Sequence, residues 1–141
     1  MDLILWRHAD AEDGAPDLAR RLTPKGQAQA ERVAAWLRKR LPQDFVLIAS
    51  PAARAQQTAR ALQAQFTTEP LLAPGASVEA ILRAAGERGT AVIVGHQPEL
   101  GRALAFRLSG QERDWHVDKG ALWWLRDDAV RAVISPDLLQ H

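Results

Sequence analysis

Three short apolar runs, each closing on polar residues, constrain this chain more than any other feature. "LILW" (Leu3 to Trp6) runs into Arg7 and His8, "FVLIAS" runs from Phe45 to Ser50, and "TAVIVGH" ends on Gly95 and His96. Continuous apolar runs of this length suit strands buried on both faces, the habit of parallel sheets. Helical patterns lie between them. In "LTPKGQAQAERVAAWLRKRL" the residues Ala30, Val33, Ala34, Leu37 and Leu41 share one face, with Thr23 as N-cap, Pro24 at the first helical position and Pro42 as the stop. "SPAARAQQTARALQAQF" reads as a second helix, with Ser50 as its cap, Pro51 in its first turn and an apolar face running to Phe66. "VEAILRAAGERG" reads as a third, ended by Gly89, and "QPELGRALAFRLSG" as a fourth, with Pro98 near its start. "ALWWLR" and "AVRAVIS" form strands joined as a hairpin across Asp127 and Asp128. "ADAEDGAPDLARR" is a loop and "EPLLAPGAS" a turn-rich connector.

Strands alternating with helices imply an α/β fold, a three-layer α/β/α sandwich. Its central sheet is mostly parallel, with an antiparallel C-terminal edge. The length of 141 residues suits a single domain, 1–141, and no repeat or linker divides it. Trp6, Trp36, Trp123 and Trp124 read as packing residues, Trp115 in "ERDWHVDKG" is the one that could border a site, and His116 and His141 read as surface residues.

Composition removes whole classes of function. The chain has no cysteine, which excludes disulfides, thiolate catalysis and cysteine zinc sites. A net charge of +1 with interspersed signs predicts no nucleic-acid and no membrane partner. The first apolar run is too short for a signal peptide and Asp2 stands where positive charge would be expected, so a cytoplasmic location is the expectation.

Ligands of open α/β sheets bind beyond the carboxyl ends of the strands. If the three runs are parallel neighbours, Arg7, His8, Ser50 and His96 meet on one rim. Arg54, in the first turn of the second helix, joins them. Guanidiniums, imidazoles and helix N-termini all favour an anion, and a guanidinium fork matches two phosphoryl oxygens. The chain has no glycine-rich phosphate loop, no lysine–serine/threonine signature and no carboxylate cluster for magnesium. Asp10 with His8 and His96 could offer a metal N/O ligands, but the charge of Arg7 opposes it. Metal-free phosphoryl transfer to a histidine remains, with no cofactor. Singly, His8 would be a core histidine, Arg54 an exposed helix residue and His96 a helix cap. Their joint placement at matching strand ends argues otherwise.

"LILWRHADAE", "LTPKGQAQA", "IASPAARAQQTA" and "VIVGHQPEL" resemble the successive motifs of the histidine phosphatase superfamily. The short path from Arg54 to His96, and "KGALWWL", resemble its SixA-type phosphohistidine phosphatase branch. The resemblance runs from Leu3 to about Arg107 and implies a phosphoglycerate mutase-like fold. It makes His8 the nucleophile that becomes phosphorylated, Arg7 and Arg54 the ligands of the phosphoryl oxygens, and His96 the residue that completes the pocket. Arg20, before the "LT" pair, is implied as a substrate or phosphate contact. Asp17 and Ser50 are further candidates for substrate binding.

Two departures stand out. Ala9 replaces the glycine that usually follows the nucleophile, so a methyl could restrict the turn there. Larger members also carry an acidic proton donor between the second and third motifs. This chain has only Glu69, Glu79 and Glu87 there, outside any recognisable donor motif. An alkoxide leaving group needs a proton, whereas an imidazole departs more readily, so the gap favours an N–P substrate. The expected partner is a histidine-phosphorylated protein, such as a phosphorelay or phosphotransfer protein. A small-molecule phosphomonoesterase, and a phosphate- or phosphohistidine-binding module without turnover, are the alternatives.

Overall fold

In the computed structural model, which describes residues 1–139, the apolar runs become neighbouring strands of one six-stranded sheet. His141, the last residue of the expected domain, lies outside the described residues. In chain order the elements are β1 (Asp2–Arg7), α1 (Pro24–Arg38), β2 (Val46–Ala49), α2 (Ala53–Leu62), β3 (Thr67–Thr68), α3 (Val78–Ala85), β4 (Thr90–Gly95), α4 (Glu99–Ser109), β5 (Leu122–Arg126) and β6 (Ala129–Ile134). The strand order is β3-β2-β4-β1-β5-β6. The first four in that order are mutually parallel, and β5 and β6 complete the sheet antiparallel.

Both faces of the sheet are covered. Ile4, Trp6, Val92 and Val94 pack with Val33, Ala34 and Leu37 of α1 and Ala55 and Ala59 of α2. Leu3, Leu5, Ala91 and Ile93 pack with Ile81 and Ala85 of α3 and Leu100, Ala103 and Leu104 of α4. Successive strand side chains point to opposite faces, so an unbroken apolar strand is what a sheet covered on two sides requires. The buried Trp6 indole donates to the Gly120 carbonyl at 3.0 Å, so its one polar atom is paired. Among the described residues no helix is long and apolar enough to cross a membrane.

Helix boundaries depart from expectation where the stop signals are local. α1 ends at Arg38, and residues to Leu41 turn back onto the Leu37 carbonyl before Pro42 is reached. α2 ends at Leu62, short of Phe66, and its N-cap is Ala52 rather than Ser50. α3 stops at Gly86, whose φ of 74° leaves the helical region three residues before Gly89. The two-residue β3 was not anticipated, because Thr67 and Thr68 carry no periodicity of their own.

Candidate active site

Register assembles the site. Arg7 pairs with Gly95, and Ala49 with Val94, so the next residues, His8, Ser50 and His96, leave the sheet side by side. The His8 N–H donates to the Gly95 carbonyl at 3.1 Å, and the Ser50 N–H to the Val94 carbonyl at 3.0 Å. The His8 and His96 ring centroids lie 5.0 Å apart. Arg54, in the first turn of α2, reaches back until its Nε is 3.3 Å from His8 Nε2. The strand ends and the start of α2 therefore bring Arg7, His8, Ser50, Arg54 and His96 together.

The protonation of His8 follows from its partners. Nδ1 lies 2.8 Å from the Ala9 carbonyl, which can only accept, so Nδ1 carries the hydrogen. Nε2 therefore presents its lone pair, and Arg54 Nε–H points at it. Burial, with the Arg54 and Arg7 charges adding to it, pushes the His8 pKa down to about 4. Burial, with His8 next, pushes His96 down to about 3. Both rings are neutral at pH 7, and His8 has the free nitrogen an attack on phosphorus requires.

The turn after His8 is held from several sides. The Ala9 N–H donates to Thr58 Oγ1 at 3.1 Å, and Thr58 donates to the Arg54 carbonyl. Asp10 accepts from Thr23 and Lys119 and donates its N–H to Gln29. A Cβ on Gly26 would come within 2.0 Å of the Asp10 carbonyl, so only glycine lets α1 approach this turn so closely. Ala9 itself is comfortable. It is fully buried against Leu22 and Ala30, and Asp127 is the one non-glycine with positive φ among the described residues. The turn adopts no backbone conformation that would call for glycine here. The spacing in "RAQQT" puts Thr58 on one helix face with Arg54, but nothing in the sequence signals its bond to Ala9.

Asp17 and Arg20 sit at the mouth. Arg54 donates to the Asp17 carbonyl at 2.8 Å and to its carboxylate at 3.1 Å, and Arg20 Nε donates to the same carboxylate at 3.1 Å. Arg54 dominates in holding the Asp17 carboxyl below its usual range. One N–H on each terminal nitrogen of Arg54 remains for a ligand. Ser50 is fully enclosed. Its Oγ accepts from the Ala52 N–H and lies 2.8 Å from His96 Nε2, so the hydroxyl steers His96 instead of capping α2. Arg7 donates to the Val117 carbonyl at 2.9 Å, while its Nε and His96 Nδ1 are buried without a partner. α2 begins here without a side-chain cap, which leaves N–H groups toward an anion, whereas the first turn of α4 is closed by Gln97 Oε1, which accepts from the Gly101 N–H.

Trp115 does not line this rim. Its ring packs on Trp123, and its backbone rests on Gly101. Of the glutamates between the second and third motifs, Glu69 accepts from the Leu71 N–H, Glu79 pairs with Arg83, and Glu87 lines a cleft between α3 and α4. None of them reaches His8. Among the described residues no three His, Asp or Glu side chains are placed to hold a metal ion.

The neutral histidines carry a pH signature. The unfolded chain binds protons at imidazoles of pKa near 6.5, while the folded site resists them down to about 4 and 3. The unfolded state therefore binds more protons in this window, and stability falls as pH drops through it. The depressed carboxyls of Asp2, Asp10 and Asp17 act below their ordinary 3.8, so they do not obscure it. The Tm is expected to be lower at pH 5 than at pH 7, with the difference reduced in His8→Ala; an equal Tm would contradict burial of neutral rings.

Known proteins resemble this chain in sequence and in fold. A model of the histidine phosphatase superfamily (branch 1) matches residues 3–77. An uncharacterized protein of a Picosynechococcus strain is 35% identical over 153 residues, covering 97% of this chain and 92% of that protein. The structure of the protein histidine phosphatase SixA complexed with tungstate superposes with a TM-score of 0.84 at 25% identity, covering 99% of this chain and 100% of that one. A Nakamurella multipartitia protein assigned as the phosphohistidine phosphatase SixA superposes with a TM-score of 0.81 at 25% identity, covering 96% and 95%.

Proposed function

The chain belongs to the histidine phosphatase superfamily, in its SixA-type branch, and we propose that this phosphatase works through a covalent phosphohistidine at His8 and acts, without a metal ion, on phosphohistidine of a partner protein. The observation that carries the reading is the neutral His8, with Nδ1 tied to the Ala9 carbonyl and Nε2 free beneath Arg54. Nε2 attacks phosphorus in line as the bond to the leaving nitrogen breaks. Arg54, Arg7 and His96 meet the charge that gathers on the phosphoryl oxygens. Water then attacks, and the His8 ring departs with Nδ1–H still in place. Ser50 acts through His96 as a positioning residue. Asp17 and Arg20 yield to the arriving phosphoryl group, Arg20 becoming a contact and Asp17 holding Arg54 between turnovers.

The substrate assignment is supported by the SixA likeness and by the layout of the chain. Between Arg54 and His96 lie only α2, β3, a short turn at Pro70–Leu72 and α3 before β4 begins. A side chain on a protein surface can approach such a rim. The expected partner is a phosphotransfer or phosphorelay protein in the cytoplasm. The test is phosphate release from a histidine-phosphorylated carrier protein in excess chelator, beside an aryl phosphate. Faster release from the carrier is the expected result. Release only from the aryl ester would transfer the assignment to a small-molecule phosphomonoesterase, and loss of release in chelator would overturn metal independence. Stoichiometric binding without release would identify a phosphohistidine-binding module.

A further inference from the structure

None of the glutamates between the second and third motifs reaches His8, yet a histidine–carboxylate pair stands near Arg7. The loop before β5 is tied to the end of β1 at three points. Arg7 donates through its side chain to the Val117 carbonyl at 2.9 Å, its N–H donates to Ala121 at 3.0 Å, and the Gly120 N–H donates to the His8 carbonyl at 3.1 Å. His116, next to Val117, therefore stands beside the arginine proposed to hold the phosphoryl group. An open cleft of about 430 Å³ is lined by Arg7 and His116 together.

The His116 side chain is 73% exposed, but it is tethered. Its Nε2 lies 2.6 Å from an Asp118 carboxylate oxygen, and the other oxygen of Asp118 accepts from Ser135 at 3.2 Å. Asp118 also acts electrostatically on Arg7, and both line the cleft. The carboxylate takes a hydrogen from Nε2 whether the ring is neutral or cationic. Only Nδ1 is left to gain and lose a proton. Lys25 and Lys119 face the cleft from α1 and from the loop, and Asp137 from the turn after β6.

We propose that the His116–Asp118 pair is the acid and base of this phosphatase, serving the leaving group in the first half-reaction and the water in the second. The proposal rests on the phosphohistidine reading of His8. In the first step the P–N or P–O bond of the substrate breaks as Nε2 of His8 bonds to phosphorus, and the proton on His116 Nδ1 passes to the departing nitrogen or oxygen. In the second step water bonds to phosphorus, the bond to His8 Nε2 breaks, and the proton of the water passes to His116 Nδ1. The cycle closes without an external proton, because His8 keeps Nδ1–H throughout. A chain so equipped turns over phosphate esters with poor leaving groups as well as phosphohistidine.

The test compares kcat/KM for phenyl phosphate and 2,4-dinitrophenyl phosphate in the wild type, His116→Gln and Asp118→Asn, with His8→Ala in parallel. Glutamine can still donate to Asp118 but cannot exchange a proton. His116→Gln is expected to lose about 100-fold on phenyl phosphate, the usual scale of general acid catalysis, and less than about threefold on the dinitrophenyl ester, which leaves unaided. Asp118→Asn is expected to show a smaller loss of the same kind. Equal losses on both esters, no loss on phenyl phosphate, or a wild type inactive on phenyl phosphate would each overturn the assignment. Turnover retained in His8→Ala would instead refute the phosphohistidine intermediate, so the two failures are distinguishable.

Discussion

A His8→Ala variant is expected to lose on the order of 10⁴-fold in kcat on any phosphoryl substrate, about 5 kcal/mol of barrier, while keeping its fold. The loss is large because no other group at the site can form the covalent intermediate. His96 lies 5.0 Å away by ring centroid, but its Nε2 is engaged by Ser50 and its Nδ1 is enclosed. The fold survives because the turn is held by backbone bonds from Ala9 to Thr58 and from Thr23 to Asp10, none of which uses the imidazole. Rapid quench of the wild type should trap an acid-labile, alkali-stable phosphoenzyme that His8→Ala lacks. A variant that still turned over at a tenth of the wild-type rate would remove His8 from the nucleophile's role.

Arg54→Ala is expected to cost about 10³-fold, and Arg54→Lys nearly as much. Arg54 is 3% exposed and makes three directed contacts, to His8 Nε2, the Asp17 carbonyl and the Asp17 carboxylate. Those use the planar fork, which an ammonium cannot reproduce. A second readout separates this role from simple damage. The Arg54 charge is one of the causes that lower the His8 pKa, so removing it raises that pKa from about 4 toward the ordinary 6.5. A protonated His8 cannot attack, so the acid limb of the pH–rate profile should move to higher pH. An unchanged limb with the same loss of rate would mean that Arg54 binds substrate without acting on His8.

The boundaries that the residues left open share one physical origin. The first strand, the capping of α1 by Thr23 and the C-terminal hairpin were legible because each is set by neighbours in sequence. Ser50 was misjudged as a helix cap because its hydroxyl had two possible partners. Beside the local Ala52 N–H, it meets His96, 46 residues away. His116 is exposed, as expected, but nothing beside it in the chain signals that it shares a cleft with Arg7 and Ser135.

The sequence by itself determined the alternation of strands and helices, the polar residues that close the parallel strands and the family those residues belong to. Periodicity and motif spacing are local properties, and local properties survive in a string of letters. Only the tertiary structure decided which nitrogen of His8 is free, what holds Arg54 at 3.3 Å from it, and which loop meets Arg7. Those outcomes depend on burial and on backbone carbonyls, Ala9 and Val117 among them. Every residue has such a carbonyl, so no choice of side chain reveals where it will point.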